Sequence, residues 1–272
     1  MRPEESREPH GAGAPETSHR AREGDRAYHA VAHETAATQA TAPVDPSLST
    51  RHITTDDLHT FVRSLRSSDE GECTACVNAL IARGITAETI YLDLLDHAAL
   101  QFGEMWNDDS CDFVDVTVAL GRLQRILRDL SHKFLADRAA PDSIGRVLLS
   151  SIPGEHHTLG LFMVAEFFIR EGWDVRLGAP LTSAELGSLL RETRFDVVGF
   201  SVASSERLSH VKRTIRQLRR DSQNRALAVM VGGPVFRERP ALAAHVGADG
   251  TAPDARTAPA LARRLITQGD PC

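Results

Sequence analysis

The chain has 272 residues, enough for one domain of ordinary size and a smaller companion. A net charge of −6 argues against a basic nucleic-acid-binding surface, and four cysteines do not suggest a disulfide framework. The N-terminus has no apolar signal segment, and no apolar run approaches the roughly 20 residues that span a membrane. We therefore expect a cytoplasmic protein that contacts neither DNA nor membrane.

Residues 1–52 have the composition of a solvated tail. They are rich in Ala, Glu, Thr, His, Pro and Arg and show no hydrophobic periodicity. Such a segment cannot bury enough apolar surface to offset the entropy lost on ordering. We expect this tail to be disordered, although its histidines leave metal binding open.

Residues 53–140 are predicted to form a four-helix bundle. Asp56 or Asp57 is placed to cap the first helix. Cys73 and Cys76 share the apolar face of the second, where packing as small hydrophobes is favoured over a redox pair. The fourth helix has the clearest apolar stripe, at spacings of three and four: Phe113, Val116, Leu120, Leu123, Leu127, Leu130 and Phe134. Four amphipathic helices with short connections indicate a bundle.

Residues 143–268 show a different pattern, in which short apolar runs alternate with helical segments. This alternation predicts a parallel sheet that is covered by helices on both faces. The expected class is therefore an α/β domain of flavodoxin-like, Rossmann-like topology. In such a domain a ligand binds in the crevice at the carboxyl ends of the strands.

The segment Pro153–Gly160 follows the first predicted strand, at the position where this fold holds its ligand. His157 can present a ring nitrogen to a metal, and Glu155 can hold the other ring nitrogen. Gly160 removes a side chain from the first helical turn, so that a bulky cofactor can approach. The loop by itself is equally well interpreted as one that carries ordinary histidines.

Small residues end three later strands and strengthen the ligand interpretation. They are Ser201 with Ala203, the pair Gly232 and Gly233, and Gly250 with Thr251. A core optimised for stability would fill this space with larger side chains, because voids are destabilising. We therefore predict a slot at these strand ends.

Together these motifs resemble the cobalamin-binding fold that carries an Asp/Glu-x-His-x-x-Gly motif. Glu155, His157 and Gly160 match the motif, whereas His156 would put Gly154 in the acidic position. The resemblance implies that His157 ligates the cobalt from below in place of the dimethylbenzimidazole tail of the cofactor.

In this family the displaced tail enters the slot. The resemblance places Ser201 near the buried tail nitrogen and matches Gly232 and Gly233 to the family's glycine pair. Ala203 replaces the usual Leu or Thr, and Thr251 replaces a frequent Tyr, which would loosen the pocket without removing the cobalt ligand.

The helical module resembles the cap that precedes this fold in methionine synthase and in cobalamin photoreceptors. Phe102–Trp106 resembles the tryptophan segment of the cap, which implies that Trp106 covers the upper face of the cofactor. The alternative is a core aromatic at a helix end. The photoreceptors carry a Glu-His pair about ten residues later, where this chain has Asp115-Val116-Thr117.

The missing pair and the segment Phe113–Gln124 together resemble the AerR/PpaA antirepressors of purple photosynthetic bacteria. This resemblance implies a non-enzymatic, light-responsive regulator that binds cobalamin and acts on a PpsR/CrtJ-type repressor of photosynthesis genes. The alternatives are a corrinoid methyl carrier of a methyltransferase system and a haem-binding sensor on the same scaffold. The basic run Arg213, Arg216, Arg219 and Arg220 is interpreted as a solvated helix face.

Overall fold

The computed structural model describes residues 52–136, 143–152, 158–178 and 181–268, which belong to one compact unit. The predicted tail, apart from His52, lies outside the described residues. The helical half contains α1 (Thr55–Leu65), α2 (Gly71–Ala82), α3 (Ala87–Thr89), α4 (Asp96–Asn107) and α5 (Phe113–Phe134). A π-helical stretch, Ile90–Leu95, joins α3 to α4, so that four helical rods form the bundle. No described helix combines the length and apolarity needed to cross a membrane.

Helix α1 begins two or three residues earlier than predicted. Thr54 is its N-cap: the Thr54 hydroxyl accepts the N–H of Asp57, and the Asp57 carboxylate accepts the N–H of Thr54. The predicted cap at Asp56 or Asp57 is therefore wrong, because Asp57 is the distal partner of a capping box. Asp57 also accepts hydrogen bonds from Arg83, which lower the pKa of that carboxyl to about 2.

The second half contains the strands β1 (Arg146–Ser151), β2 (Asp174–Leu177), β3 (Val197–Ser201), β4 (Ala228–Gly232) and β5 (Gly250–Thr251). Its helices are α6 (Leu159–Arg170), α7 (Ser183–Glu192), α8 (Leu208–Asp221), α9 (Pro234–Glu238), α10 (Leu242–Val246) and α11 (Ala258–Gln268). The strands are parallel and lie in the order β2-β1-β3-β4-β5. This topology confirms the predicted flavodoxin-like fold class.

The two faces of the sheet pack against different helices. Leu148, Val198 and Val229 point to one face and share a hydrophobic cluster with residues of α7, α8 and α10. Their neighbours in sequence point to the other face, because successive strand residues alternate. That second face is covered by α6 and α11.

The bundle and the α/β half share one hydrophobic core. Leu159, Met163 and Phe167 of α6 belong to the same buried cluster as the bundle residues. Polar contacts add to this seam: Arg170–Glu88 at 2.7 Å, Arg237–Asp96 at 3.0 Å and the Ser131 hydroxyl to buried Glu166 at 2.9 Å. We therefore expect the two halves to unfold together.

Phe167→Ala tests this shared core. The Phe167 side chain is 0% exposed and packs edge-to-face on Phe134 at 4.8 Å. Its loss should lower the free energy of unfolding by about 3–5 kcal/mol. Phe113→Ala is the matched control, because that side chain is 71% exposed, and it should cost less than about 0.5 kcal/mol. Denaturation followed by circular dichroism and by tryptophan fluorescence should give one transition, and two separate transitions would contradict the shared core.

Candidate functional site

The predicted cobalt-binding motif lies only partly within the described residues. Glu155 and His157 fall in the segment 153–157, which lies outside them. The structure does describe both flanks: Ile152 is buried directly after β1, and Thr158 precedes α6. The motif therefore connects the carboxyl end of β1 to the start of α6, which is the ligand edge of this fold.

Gly160, the second residue of α6, lies beside open space. Within 4 Å, a Cβ atom built on it would meet no atom of the described residues other than its chain neighbours and its own helix. Packing within the described part of the chain therefore does not require glycine at this position. The open space is what the approach of a bulky cofactor to the first turn of α6 needs.

Three small residues stand side by side at the carboxyl ends of the central strands. Ser151 of β1 is the register partner of Ser201, and Ser201 is the partner of Gly232. Strand alternation directs all three to the face that α6 and α11 cover. A Cβ atom on Gly232 would meet no atom of the described residues beyond its chain neighbours within 4 Å, so these residues leave space beside Gly232.

Gly233 has a different role from its neighbour. Its φ of +102° is a conformation that L side chains rarely adopt, and a Cβ atom would collide with the carbonyl oxygen of Val202. The backbone therefore requires glycine at position 233, whereas Gly232 leaves space. The sequence placed both glycines in the slot but could not separate these roles.

Two buried hydroxyls at the strand ends lack hydrogen-bond partners among the described residues. Ser151 Oγ of β1 is directed to the slot, whereas Thr251 Oγ1 of β5 lies on the other face of the sheet, because its register partner is Val231. A buried hydroxyl without a hydrogen bond costs about 1–3 kcal/mol, so a polar ligand atom would relieve a penalty. The slot therefore suits an aromatic tail that carries polar atoms. Sequence reasoning missed Ser151, although its place at the end of the first strand was a usable signal.

An exposed apolar patch lies where α4 ends and α5 begins. It consists of Trp106, Phe113, Val114 and Val118, which are 48%, 71%, 64% and 41% exposed. The interpretation of Trp106 as a core aromatic is therefore wrong, and so is the place of Phe113 in the core stripe. Both side chains face solvent, and contiguous exposed apolar groups mark interaction or ligand sites.

Helix α5 approaches the motif loop. Gln124 of α5 donates a 3.4 Å hydrogen bond to the Thr158 hydroxyl, next to the segment 153–157. Phe113 and Thr117 lie on the same side of α5 as Gln124, because they precede it by eleven and seven residues. The start of α5, with part of the apolar patch, is thus directed to the ligand edge.

The residues that replace the photoreceptors' Glu-His pair form contacts within the helical half of the protein. The Thr117 hydroxyl donates to the Phe113 carbonyl at 2.7 Å, and Val116 packs against the bundle core. Asp115 forms the capping box of α5 and pairs with Arg66 at 3.2 Å. None of these side chains offers an imidazole to the upper face of a cofactor.

Comparison with known proteins identifies the α/β half. A family model described as the B12 binding domain matches residues 145–261. A protein of Rhodobacter capsulatus, described as a 20.5 kDa protein in the bchF-crtJ intergenic region, is 32% identical over 168 residues. The match covers 62% of this chain and 87% of that protein.

The fold is also that of a solved corrinoid protein. The structure of the Methanosarcina barkeri monomethylamine corrinoid protein aligns with a TM-score of 0.67 and 13% sequence identity. The alignment covers 77% of this chain and 98% of that one, and at this identity it bears on the fold alone.

The cofactor and the family follow from these matches. The B12 binding domain spans the whole ligand edge, from the start of β1 into α11, and includes the predicted motif and the slot. Cobalamin is thus the cofactor of this chain. The chain is 32% identical to this relative and covers 87% of its length. The chain therefore belongs to the AerR/PpaA-type family of cobalamin-binding proteins.

Proposed function

We propose that the chain is a light-responsive transcriptional regulator, an antirepressor that acts through a PpsR/CrtJ-type repressor and is not an enzyme. The observation that carries this proposal is the position of the relative's gene between bchF and crtJ. The name crtJ refers to the class of repressor that the resemblance implies as partner. The corrinoid-carrier alternative shares its fold with the Methanosarcina protein, which at 13% identity does not favour that activity.

The proposed cofactor contacts divide between the motif and the slot. His157 would ligate the cobalt from below, with Glu155 holding its second ring nitrogen. Ser151, Ser201 and Gly232 would receive the tail. When bound, an alkylcobalamin supplies a cobalt–carbon bond that visible light can break. The protein's part is to bind the cofactor and to present its state to a partner.

The apolar patch is the element that we propose to read the upper ligand. Trp106 is exposed at the end of α4, and Phe113 is exposed at the start of α5, on the side of that helix that carries Gln124. A bulky adenosyl group and a small hydroxo group must fit such a surface differently. A ligand shifts a conformational equilibrium only through its different affinities for the two states.

Selection among cobalamins is favoured over movement of the bundle. A bundle displacement would separate Phe167 from Phe134 and break the Arg170–Glu88 pair. Since these groups belong to a shared core, such movement would expose apolar surface at a cost of about 25 cal/mol per Å². We infer that light acts by deciding which cobalamin the chain binds.

We predict that hydroxocobalamin binds more tightly than adenosylcobalamin in the dark. Trp106→Ala should reduce this preference by about tenfold, because removing the indole makes room for the adenosyl group. The measurement is a spectral titration of each cobalamin in the dark. Val77→Ala, a change inside the bundle core, is the control and should leave the preference unchanged. Equal affinities in the unmodified chain would contradict selection.

The partner proposal is tested by repressor association. The chain loaded with hydroxocobalamin should bind a PpsR/CrtJ-type repressor more tightly than the chain kept in the dark with adenosylcobalamin, as measured by calorimetry. Equal association of the two forms would refute the light-switched antirepressor. Methyl transfer to the bound cobalamin by a methyltransferase would support the carrier, and a haem spectrum would support the sensor.

A further inference from the structure

A cavity lies in the groove between α7 and α8, on the opposite face of the sheet from α6. Its volume is about 300 Å³, within the range of small-ligand clefts. Ser183 of α7 lines it together with residues of α8, including His210, Arg213, Thr214, Arg216 and Arg220. Helices α7 and α8 pack on the face of the sheet that α6 and the tail slot do not use.

The cavity carries an excess of positive charge. Arg213, Arg216 and Arg220 line it, and none of them has an ion-pair partner within the described part of the chain. Arg219 differs, since it pairs with Asp249 at 2.8 Å. The basic run of the sequence thus divides into Arg219, which forms an ion pair, and three exposed arginines that line the cavity.

Thr214 supplies an unsatisfied hydrogen-bonding group in the same place. Its side chain is 3% exposed, and among the described residues Thr214 Oγ1 has no partner. A threonine within a helix ordinarily satisfies its hydroxyl on the carbonyl one turn earlier. Thr214 thus lines a cationic cavity and carries a hydroxyl that has no hydrogen-bond partner among the described residues.

The surrounding groups favour an anion. Ser183 is the first residue of α7, a helix of ten residues, so the positive end of that helix borders the cavity. Burial and the positive charges of Arg213 and Arg207 lower the pKa of His210, and the two charge effects reflect the excess of positive charge around the cavity. Asp221, the nearby carboxylate, is paired with Arg191 at 3.2 Å.

We propose that this cavity binds a phosphoryl group, either of a small phosphate monoester or of a phosphorylated side chain of a partner protein. Guanidinium groups match phosphate oxygens in geometry as well as in charge, and a hydroxyl adds one further hydrogen bond. No Phe, Tyr or Trp is among the described residues that line the cavity, so it lacks the large aromatic faces on which nucleobases usually stack. The site is independent of the cobalamin function.

The decisive variant is Thr214→Val in the full chain loaded with cobalamin. Valine keeps the shape of the side chain and removes the orphaned hydroxyl, so the free energy of unfolding should stay the same or rise. Inorganic phosphate and a phosphoserine peptide, titrated by calorimetry, should bind about tenfold more weakly. Arg213→Gln and Arg220→Gln should weaken binding at least as much, whereas exposed Arg263→Gln on α11 should have no effect.

The two sources give different results in the same titrations. If the phosphoserine peptide binds more tightly than glycerol phosphate, the ligand is a phosphorylated side chain, and equal affinities indicate a small monoester. Absence of saturable phosphate binding would overturn the proposal. So would binding that Thr214→Val and Arg213→Gln leave unchanged, or binding confined to duplex DNA with a steep salt dependence.

Discussion

His157→Ala should lower cobalamin affinity by about a hundredfold or more while the protein stays folded. The substitution removes the proposed lower cobalt ligand, and loss of a residue that merely orients a ligand already costs about 10–100-fold. Affinity is measured by titrating hydroxocobalamin in the dark, and folding by circular dichroism.

His156→Ala is the matched control, because it changes the neighbouring histidine of the same segment and should bind cobalamin nearly normally. Glu155→Gln should fall between the two, since it weakens the hold on the second ring nitrogen and leaves the ligand in place. If His156→Ala is the variant that loses the cofactor, the assignment of the motif register is wrong.

Gly232→Leu should lower the affinity for cobalamin by about a hundredfold or more and should leave the fold intact. A Cβ atom at Gly232 meets none of the described residues within 4 Å apart from its chain neighbours, so the new side chain would enter the space proposed for the tail. Overpacking a filled site forces displacement or strain. Gly232→Ala should reduce affinity less, because its single methyl group occupies less of that space. Unchanged affinity of Gly232→Leu would mean that the tail is not buried there.

Substitution of Gly233 should instead lower the stability of the fold, which contrasts with the loss of cobalamin affinity expected for Gly232→Leu. Gly233→Ala forces a Cβ atom onto the carbonyl oxygen of Val202 at a φ of +102°, so it should destabilise the fold by more than about 1 kcal/mol. A loss of cobalamin in this variant would accompany a lowered melting temperature. A Gly233 variant of normal stability would contradict the backbone role that we assign to it.

The fold could be predicted from the sequence because its signals are local. Val147-Leu148-Leu149 and Asp196-Val-Val-Gly-Phe-Ser are apolar runs typical of buried parallel strands, and they form β1 and β3. The stripe of α5 likewise predicted a helix, which extends over Phe113–Phe134. The periodicity wrongly placed its first residue, Phe113, in the core. A pattern within one helix does not reveal where the neighbouring helix ends, and Phe113 is exposed.

The site was predictable only in outline. Residue types and spacing placed Ser201, Gly232 and Gly233 at strand ends, which the structure reproduces. The separate roles of the two glycines depend on a backbone angle and on the position of Val202, neither of which leaves a trace in the sequence. The orphaned hydroxyl of Ser151 is visible only once its neighbours are in place.

The most direct test is the electron paramagnetic resonance spectrum of the bound cofactor in its Co(II) state, from protein whose histidines carry the heavy nitrogen isotope. A nitrogen ligand splits the cobalt lines into three when it is the common isotope and into two when it is the heavy one. If His157 is the lower ligand, labelling should change three lines to two, and His157→Ala should abolish the change. A three-line pattern that persists in the labelled protein would show that the benzimidazole still holds the cobalt, and it would contradict both the lower ligand and the buried tail.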